Sequence, residues 1–117
     1  KSSGLIKRDF IAISDVVKVV ERGCEFLRPQ SITGIYNLSS GKTVSLRQLA
    51  GYISFAYAQY KGGSLLSFKE PTFGCSDEAD SDFILSNSKL LSEGVELNGG
   101  LEKEFKTAMP KLDQWFS

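Results

Sequence analysis

The sequence contains no histidine among its 117 residues. Histidine is the side chain that most readily exchanges a proton near neutral pH, and it is the commonest metal ligand. Its absence excludes Ser-His catalytic triads. The two cysteines, Cys24 and Cys75, are too few for a zinc site of the usual ligand count. The chain therefore lacks the groups that most often perform catalysis or hold a metal.

The sequence also lacks a charge surplus and a long apolar run. Its 14 basic and 14 acidic residues give a net charge of zero, so we expect no nucleic-acid partner. No apolar stretch approaches the 18 residues of a membrane span, and Lys1 to Gly4 do not resemble a signal peptide, so we expect no membrane partner and a cytoplasmic location. We interpret the start, which is not a methionine, as that of a fragment.

The most informative stretch runs from Arg8 to Val17. Its apolar part, Phe10 to Ile13, predicts a buried strand, and Ser14 is the expected N-cap of a helix that reaches about Leu27. Apolar residues at helical spacing, Cys24 among them, predict a buried face for this helix. A strand that turns directly into a helix would hold Arg8 at the rim of a cleft.

The rest of the chain predicts two further strands and three helices. Strands are expected over 34–38 and 65–68. The capping-box pattern of Ser45 and Gln48 predicts a second helix that ends near Tyr60, before Gly62. A short helix is expected from about Ser86 to Gly94. The last helix carries an apolar stripe and has Pro110 inside it, so we expect a kink or a break near Met109; the stripe comprises Leu101, Phe105, Ala108, Leu112, Trp115 and Phe116.

These elements predict a single α+β domain over residues 1–117, made of helices with a few short strands. So few strands do not form a self-sufficient sheet. Several apolar faces therefore need another surface to pack against, which suggests that an N-terminal half precedes this chain in the parent protein.

Three short motifs suggest a chemical role but have simpler explanations. The turn Ser40 to Thr43 matches the end of a phosphate-binding loop, but Tyr36 occupies the position of its first glycine. Tyr57 and Lys61 have the spacing of a Tyr-Lys catalytic pair, which any amphipathic helix produces by chance. The acidic residues of 77–82 are candidate ligands for a hard cation, although a solvated loop explains them better.

Three blocks in order carry a family resemblance: Arg8 to Val16, Gly34 to Gly41, and Val44 to Ala50. Together with Ser88 to Leu91 and Trp115 near the end, they resemble the C-terminal part of extended short-chain dehydrogenases/reductases, the NAD-dependent epimerase/dehydratase proteins that act on nucleotide-sugars. The resemblance implies a small C-terminal lobe of a Rossmann-type α/β enzyme, and it covers nearly the whole chain.

The resemblance implies that this chain binds the substrate and that the NAD or NADP cofactor and all catalytic residues belong to a Rossmann domain absent from the chain. Arg8 matches an arginine that contacts the substrate diphosphate, Phe10 matches an aromatic residue beside the nucleotide, and Val44 matches an apolar residue that lines the base. The implied partners are a nucleotide-sugar or similar small molecule and the chain's own Rossmann domain. A homodimer is also possible.

The chain departs from the family where a second diphosphate-binding arginine is usual, because residues 73–80 contain no arginine. That departure leaves open a family member that acts on a carbonyl compound other than a sugar. A separate alternative is a non-catalytic binding or interaction module of the same shape.

Overall fold

The structure, a computed structural model, describes residues 4–25, 34–67 and 83–116. The predicted end of the first helix at Leu27, Phe68 of the third predicted strand, Cys75 and the acidic cluster of 77–82 lie outside the described residues. Within them the chain is mixed helix and strand, which confirms the α+β class. Its elements are β1 (Lys7–Asp9), α1 (Ile13–Cys24), β2 (Thr43–Ser45), α2 (Leu46–Lys61), α3 (Ser88–Ser92) and α4 (Leu101–Phe116).

The two strands that the structure describes form one antiparallel sheet, in which Arg8 pairs with Val44. The strands predicted over 10–13 and 34–38 are wrong. Ala12 is already the N-cap of α1, so the apolar run is divided between a connection and the first turn of the helix. Residues 35–38 form no strand, and the Ile35 carbonyl oxygen accepts a hydrogen bond from Lys89 Nζ at 2.8 Å.

Helix α2 begins and ends where the sequence predicts. The Ser45 hydroxyl accepts from the Gln48 N–H at 3.1 Å, and the Gln48 side chain accepts from the Ser45 N–H at 2.8 Å. Gly62 ends the helix with a φ of 66°, a left-handed conformation that glycine adopts without steric cost. The strand expected over 65–68 does not form in residues 65–67, which are the part of it that the structure describes.

Helix α4 packs along α2 and supplies Met109 to the small core. It continues through Pro110 to Phe116, so the helix does not break there, and the kink stays a prediction. The stripe is only partly buried: Leu112 is at the border of exposure and Trp115 is exposed. The other buried apolar residues are Ala12, Val44, Ala56, Leu90 and Val95.

Helix α1 begins at Ile13, one residue before the predicted start, and Ser14 does not cap it. The prediction of a buried apolar face is wrong for most of the helix. Ile13, Val17 and Val20 are 65%, 48% and 55% exposed, and Cys24 is an exposed free thiol. The spacing of an amphipathic helix is present, but no described element covers this face. No helix in the described ranges has both the length and the apolar character needed to cross a membrane.

Candidate functional site

A cavity of about 530 Å³ lies between β2, α2 and the start of α4. Val44 and Tyr52 contribute an apolar and aromatic part of its wall, and the loop of residues 98–100 contributes backbone. The volume falls in the range typical of small-molecule sites. The cavity, hereafter the β2–α4 cleft, is lined by Lys42, Val44, Tyr52, Asn98, Gly99, Gly100, Leu101, Glu102, Lys103 and Lys106.

The sheet brings two of the three predicted substrate-binding residues together. Arg8 is directly opposite Val44 in the antiparallel register. Side chains at opposed positions lie on the same face of a sheet, with their Cβ atoms about 5 Å apart. Val44 is buried at the cleft, whereas Arg8 is exposed and its guanidinium donates to the Lys7 carbonyl oxygen at 2.9 Å. Arg8 is therefore beside the cleft without lining it.

Asp9 fixes the turn that carries Lys42 to the cleft. Its carboxylate accepts from the N–H groups of Ser40 at 2.8 Å and Gly41 at 3.2 Å. The Ser40 hydroxyl then donates to the Lys42 carbonyl oxygen at 2.8 Å. The residue after Arg8 thus determines the shape of the β2 side of the cleft, so that the segment singled out in the sequence contributes structurally as well.

Asp15 fixes the opposite wall. This side chain is 4% exposed and accepts from the N–H groups of Asn98 and Gly99, each at 2.9 Å. A Cβ atom on Gly99 would lie 2.6 Å from Ser14 Oγ and 2.9 Å from an Asp15 carboxylate oxygen. Glycine is therefore required for this close approach of the 98–100 loop to α1. Asp15 lies in the first turn of α1, so these bonds tie the start of the helix to the 98–100 loop.

The third predicted site residue, Phe10, does not line the β2–α4 cleft. It follows β1 directly and is partly buried. The structure thus places Arg8 and Val44 as neighbours and Phe10 on the chain between β1 and α1.

The cleft also contains charged residues that sequence reasoning missed. Lys42, Lys103 and Lys106 line it together with one acidic residue, Glu102. Lys42 belongs to the turn that resembles the end of a phosphate-binding loop, so a signal for it existed. Nothing in the pattern of α4 distinguishes Lys103 and Lys106 from the lysines of an ordinary solvated helix face.

In the structure Lys61 forms an ion pair with Asp113 and not a catalytic pair with Tyr57. Its Nζ lies 2.7 Å from an Asp113 carboxylate oxygen, and the Tyr60 hydroxyl donates to the other oxygen at 3.2 Å. The hydrogen bond between Lys61 and Asp113 raises the pKa of the lysine and lowers that of the carboxyl group. These three residues clasp α2 to α4, which supports chance as the origin of the Tyr57–Lys61 spacing.

The described ranges contain no group of three acidic or cysteine residues able to hold a metal ion. Neither described strand leads into a helix through a glycine-rich turn: Phe10, Ile11 and Ala12 follow β1, and β2 runs directly into α2. These residues do not fit the pyrophosphate of a nicotinamide cofactor, which needs such a turn.

Comparison of the chain with family models, with curated protein sequences and with solved structures finds no match.

Proposed function

We propose that this chain is the substrate-binding lobe of an NAD(P)-dependent sugar-nucleotide epimerase, dehydratase or reductase, with the nucleotide-sugar bound at the β2–α4 cleft. In this proposal the lobe contributes binding and orientation, and hydride transfer takes place on a Rossmann domain elsewhere in the parent protein. The proposal starts from the resemblance of the three sequence blocks and is supported by the cleft.

The observation that carries the proposal is the pairing of Arg8 with Val44 at the edge of this cleft. The resemblance gives these two residues different tasks on one ligand, a contact to the diphosphate and a contact to the base. Such tasks require side chains that are close together in space although 36 positions apart in sequence. An arginine suits the first task because its planar, permanently charged group donates in pairs to phosphate oxygens.

In the structure the Arg8 guanidinium turns back onto its own strand. The side chain is exposed, and its flexible stem allows the guanidinium to turn toward a ligand. A diphosphate at the mouth of the cleft would replace the Lys7 carbonyl oxygen as the acceptor. We assign Phe10 a contact to the part of the ligand that extends outside the cleft, because this residue follows β1 close to Arg8 and does not line the cleft.

The exposed face of α1 favours a second candidate, a non-catalytic interaction module. Ile13, Val17, Val20 and Cys24 recur at helical spacing and remain exposed. A continuous apolar strip of this kind is typical of a surface that packs against another element. The proposed Rossmann domain is one such element, so this face is compatible with both candidates and only ligand binding separates them.

Calorimetric titration of the 117-residue chain with UDP-glucose and dTDP-glucose tests the proposal. We expect saturable binding that Arg8→Ala weakens about tenfold or more, because a hydrogen bond from a charged donor contributes about 1.5–3 kcal/mol. Arg8→Lys should recover only part of the affinity, because an ammonium group cannot donate in the paired geometry of a guanidinium.

Lys7→Ala is the matched control, since it removes the same charge from the adjacent position of β1, whose side chain points to the other face of the sheet. Binding should be nearly unchanged in this variant. Equal affinities of wild type and Arg8→Ala would remove the assigned role of Arg8. No binding of either nucleotide-sugar would favour the interaction module or a substrate without a nucleotide.

A further inference from the structure

We propose that Lys42, Lys103 and Lys106 form a phosphate-binding wall of the β2–α4 cleft and hold the diphosphate of the ligand. This inference rests on the proposed function for the identity of the ligand. The wall itself is argued from the charges and geometry of the cleft alone.

The cleft has a local positive charge in a chain whose net charge is zero. Three lysines and one glutamate line it, which leaves a surplus of two positive charges. None of the three lysines forms an ion pair with a described residue, whereas Lys61 on the other end of α2 is paired with Asp113. A concave surface with one sign of charge concentrates its field and attracts ligands of the opposite sign.

The two lysines of α4 lie on one side of the helix because they are three positions apart. Lys106 is further restrained, since its Nζ lies 5.5 Å from the centroid of the Phe55 ring on α2. Lys42 approaches from the β2 side, on the turn that the Asp9 carboxylate holds. Positive groups therefore enter the cleft from two separate elements, an arrangement that suits an anion bound between them.

The backbone at the start of α4 adds donors to the same wall. The first helical bond of α4 runs from the Glu104 N–H to the Gly100 carbonyl oxygen at 3.1 Å. The N–H groups of residues 101–103 precede it and have no acceptor within the helix. Gly99 and Gly100 carry no side chain to block the approach of a ligand to these groups.

Glu102 opposes an anion and sets the expected strength of the site. One carboxylate beside three ammonium groups reduces the positive charge of the cleft without reversing its sign. Because the lysines are exposed, each contributes modestly and the attraction is screened by salt. The wall therefore predicts binding that depends on several lysines together and weakens with ionic strength.

The test is a set of titrations with sodium pyrophosphate, UDP and UDP-glucose at low and at 0.5 M salt. We expect wild type to bind pyrophosphate at low salt and to lose affinity as salt rises. The double variant K103Q/K106Q should raise the Kd for pyrophosphate and for UDP about tenfold, with a smaller effect of K42Q. The control K111Q removes one charge from the same helix outside the cleft and should change the Kd less than twofold.

The outcomes separate this inference from the proposed function. Pyrophosphate binding that is absent from wild type, or that K103Q/K106Q leaves within twofold of wild type, overturns the lysine wall. If UDP-glucose still binds in that case, the proposed function stands without the wall. If pyrophosphate binds through the lysines but UDP and UDP-glucose bind no better than pyrophosphate, the wall stands and the nucleotide-sugar assignment is wrong.

Discussion

Helices α1 and α2 are both amphipathic by sequence, yet the structure treats them differently. Helix α2 packs against α4, buries Ala56 and Ser54, and is clasped at its end by the Lys61–Asp113 pair. Helix α1 buries Asp15 alone, while Ile13, Val17 and Val20 stay exposed. The helix with the more pronounced apolar stripe is thus the one without a cover in the described chain.

The difference shows that the spacing of apolar residues predicts which face of a helix is apolar, but not which element packs against that face. The partner of α2 follows later in this sequence, and Met109 of α4 reaches the core between them. Helix α1 is held at its first turn, where Asp15 binds the backbone of Asn98 and Gly99. Stability should accordingly be concentrated in the α2–α4 pair and at this junction, and the exposed face of α1 should contribute little.

The largest loss of stability should come from a substitution that creates a cavity between α2 and α4. Met109→Ala removes a side chain that is 6% exposed, and we expect a loss of about 2–4 kcal/mol in the free energy of unfolding. Val20→Ala removes apolar atoms from the exposed face of α1 and should change that free energy by less than about 0.5 kcal/mol. Urea denaturation of both variants measures the contrast, which equal losses would contradict.

The junction between α1 and α4 should be the next most sensitive place. Gly99→Ala forces a Cβ atom against Ser14 and Asp15, so we expect a loss of about 1–3 kcal/mol. Gly51→Ala is the matched control inside α2, where the new methyl group meets nothing within 4 Å. It should stabilise the chain by about 0.5–1 kcal/mol through helix propensity. Thermal unfolding of the two variants should therefore shift in opposite directions.

A smaller effect is expected from the cap of α2. Ser45→Ala removes the acceptor for the Gln48 N–H and should cost about 1 kcal/mol. Ser64→Ala, in the exposed segment after α2, should leave the stability unchanged. If circular dichroism melts of the two variants coincide, the capping box does not stabilise the helix.

The smallest effect concerns the Lys61–Asp113 clasp, which is solvent-exposed. Because the bond lowers the pKa of Asp113 below its ordinary value of 3.8, the stabilisation is complete above that pH and is lost as pH falls through the lowered pKa. At the alkaline end the pKa of Lys61 is raised, so the stabilisation by the pair is complete below the ordinary lysine value of 10.5. This stabilisation is lost as pH rises through the raised pKa.

Comparison of wild type with Asp113→Asn over pH 2–7 measures this contribution. The difference in stability between the two should be small at pH 7 and should shrink toward pH 2. A difference that grows as the solution becomes more acidic would contradict the direction of the Asp113 shift.

The sequence predicts the α+β class and the elements whose signals are local. The Ser45–Gln48 box and Gly62 fix both ends of α2 because the interactions lie within a few residues of each other. The predicted strands were wrong because the observed strands, β1 and β2, are three residues each and form only by pairing with each other. Arg8 and Val44 were named from the resemblance, and their adjacency depends on that same pairing.

For a related reason Lys103 and Lys106 carried no sequence signal, and the signal at Lys42 did not place that residue in a cleft. Lys103 and Lys106 look like ordinary surface residues until α4 is packed on α2, and Lys42 enters the cleft through a turn held by a carboxylate 33 positions earlier. Tertiary contacts of this range leave no periodic trace in a sequence. Patterns identify elements with local signals, and a site assembled from three elements needs the structure.

The most direct test of the account is to map a nucleotide-sugar onto the chain by amide chemical-shift changes in two-dimensional NMR spectra. Titration with UDP-glucose should move the amide signals of residues 42–44 and 98–103 in a saturable way and leave those of Val17 and Val20 in place. Saturable changes confined to α1, or no saturable change at all, would contradict the assignment of the β2–α4 cleft as the ligand site.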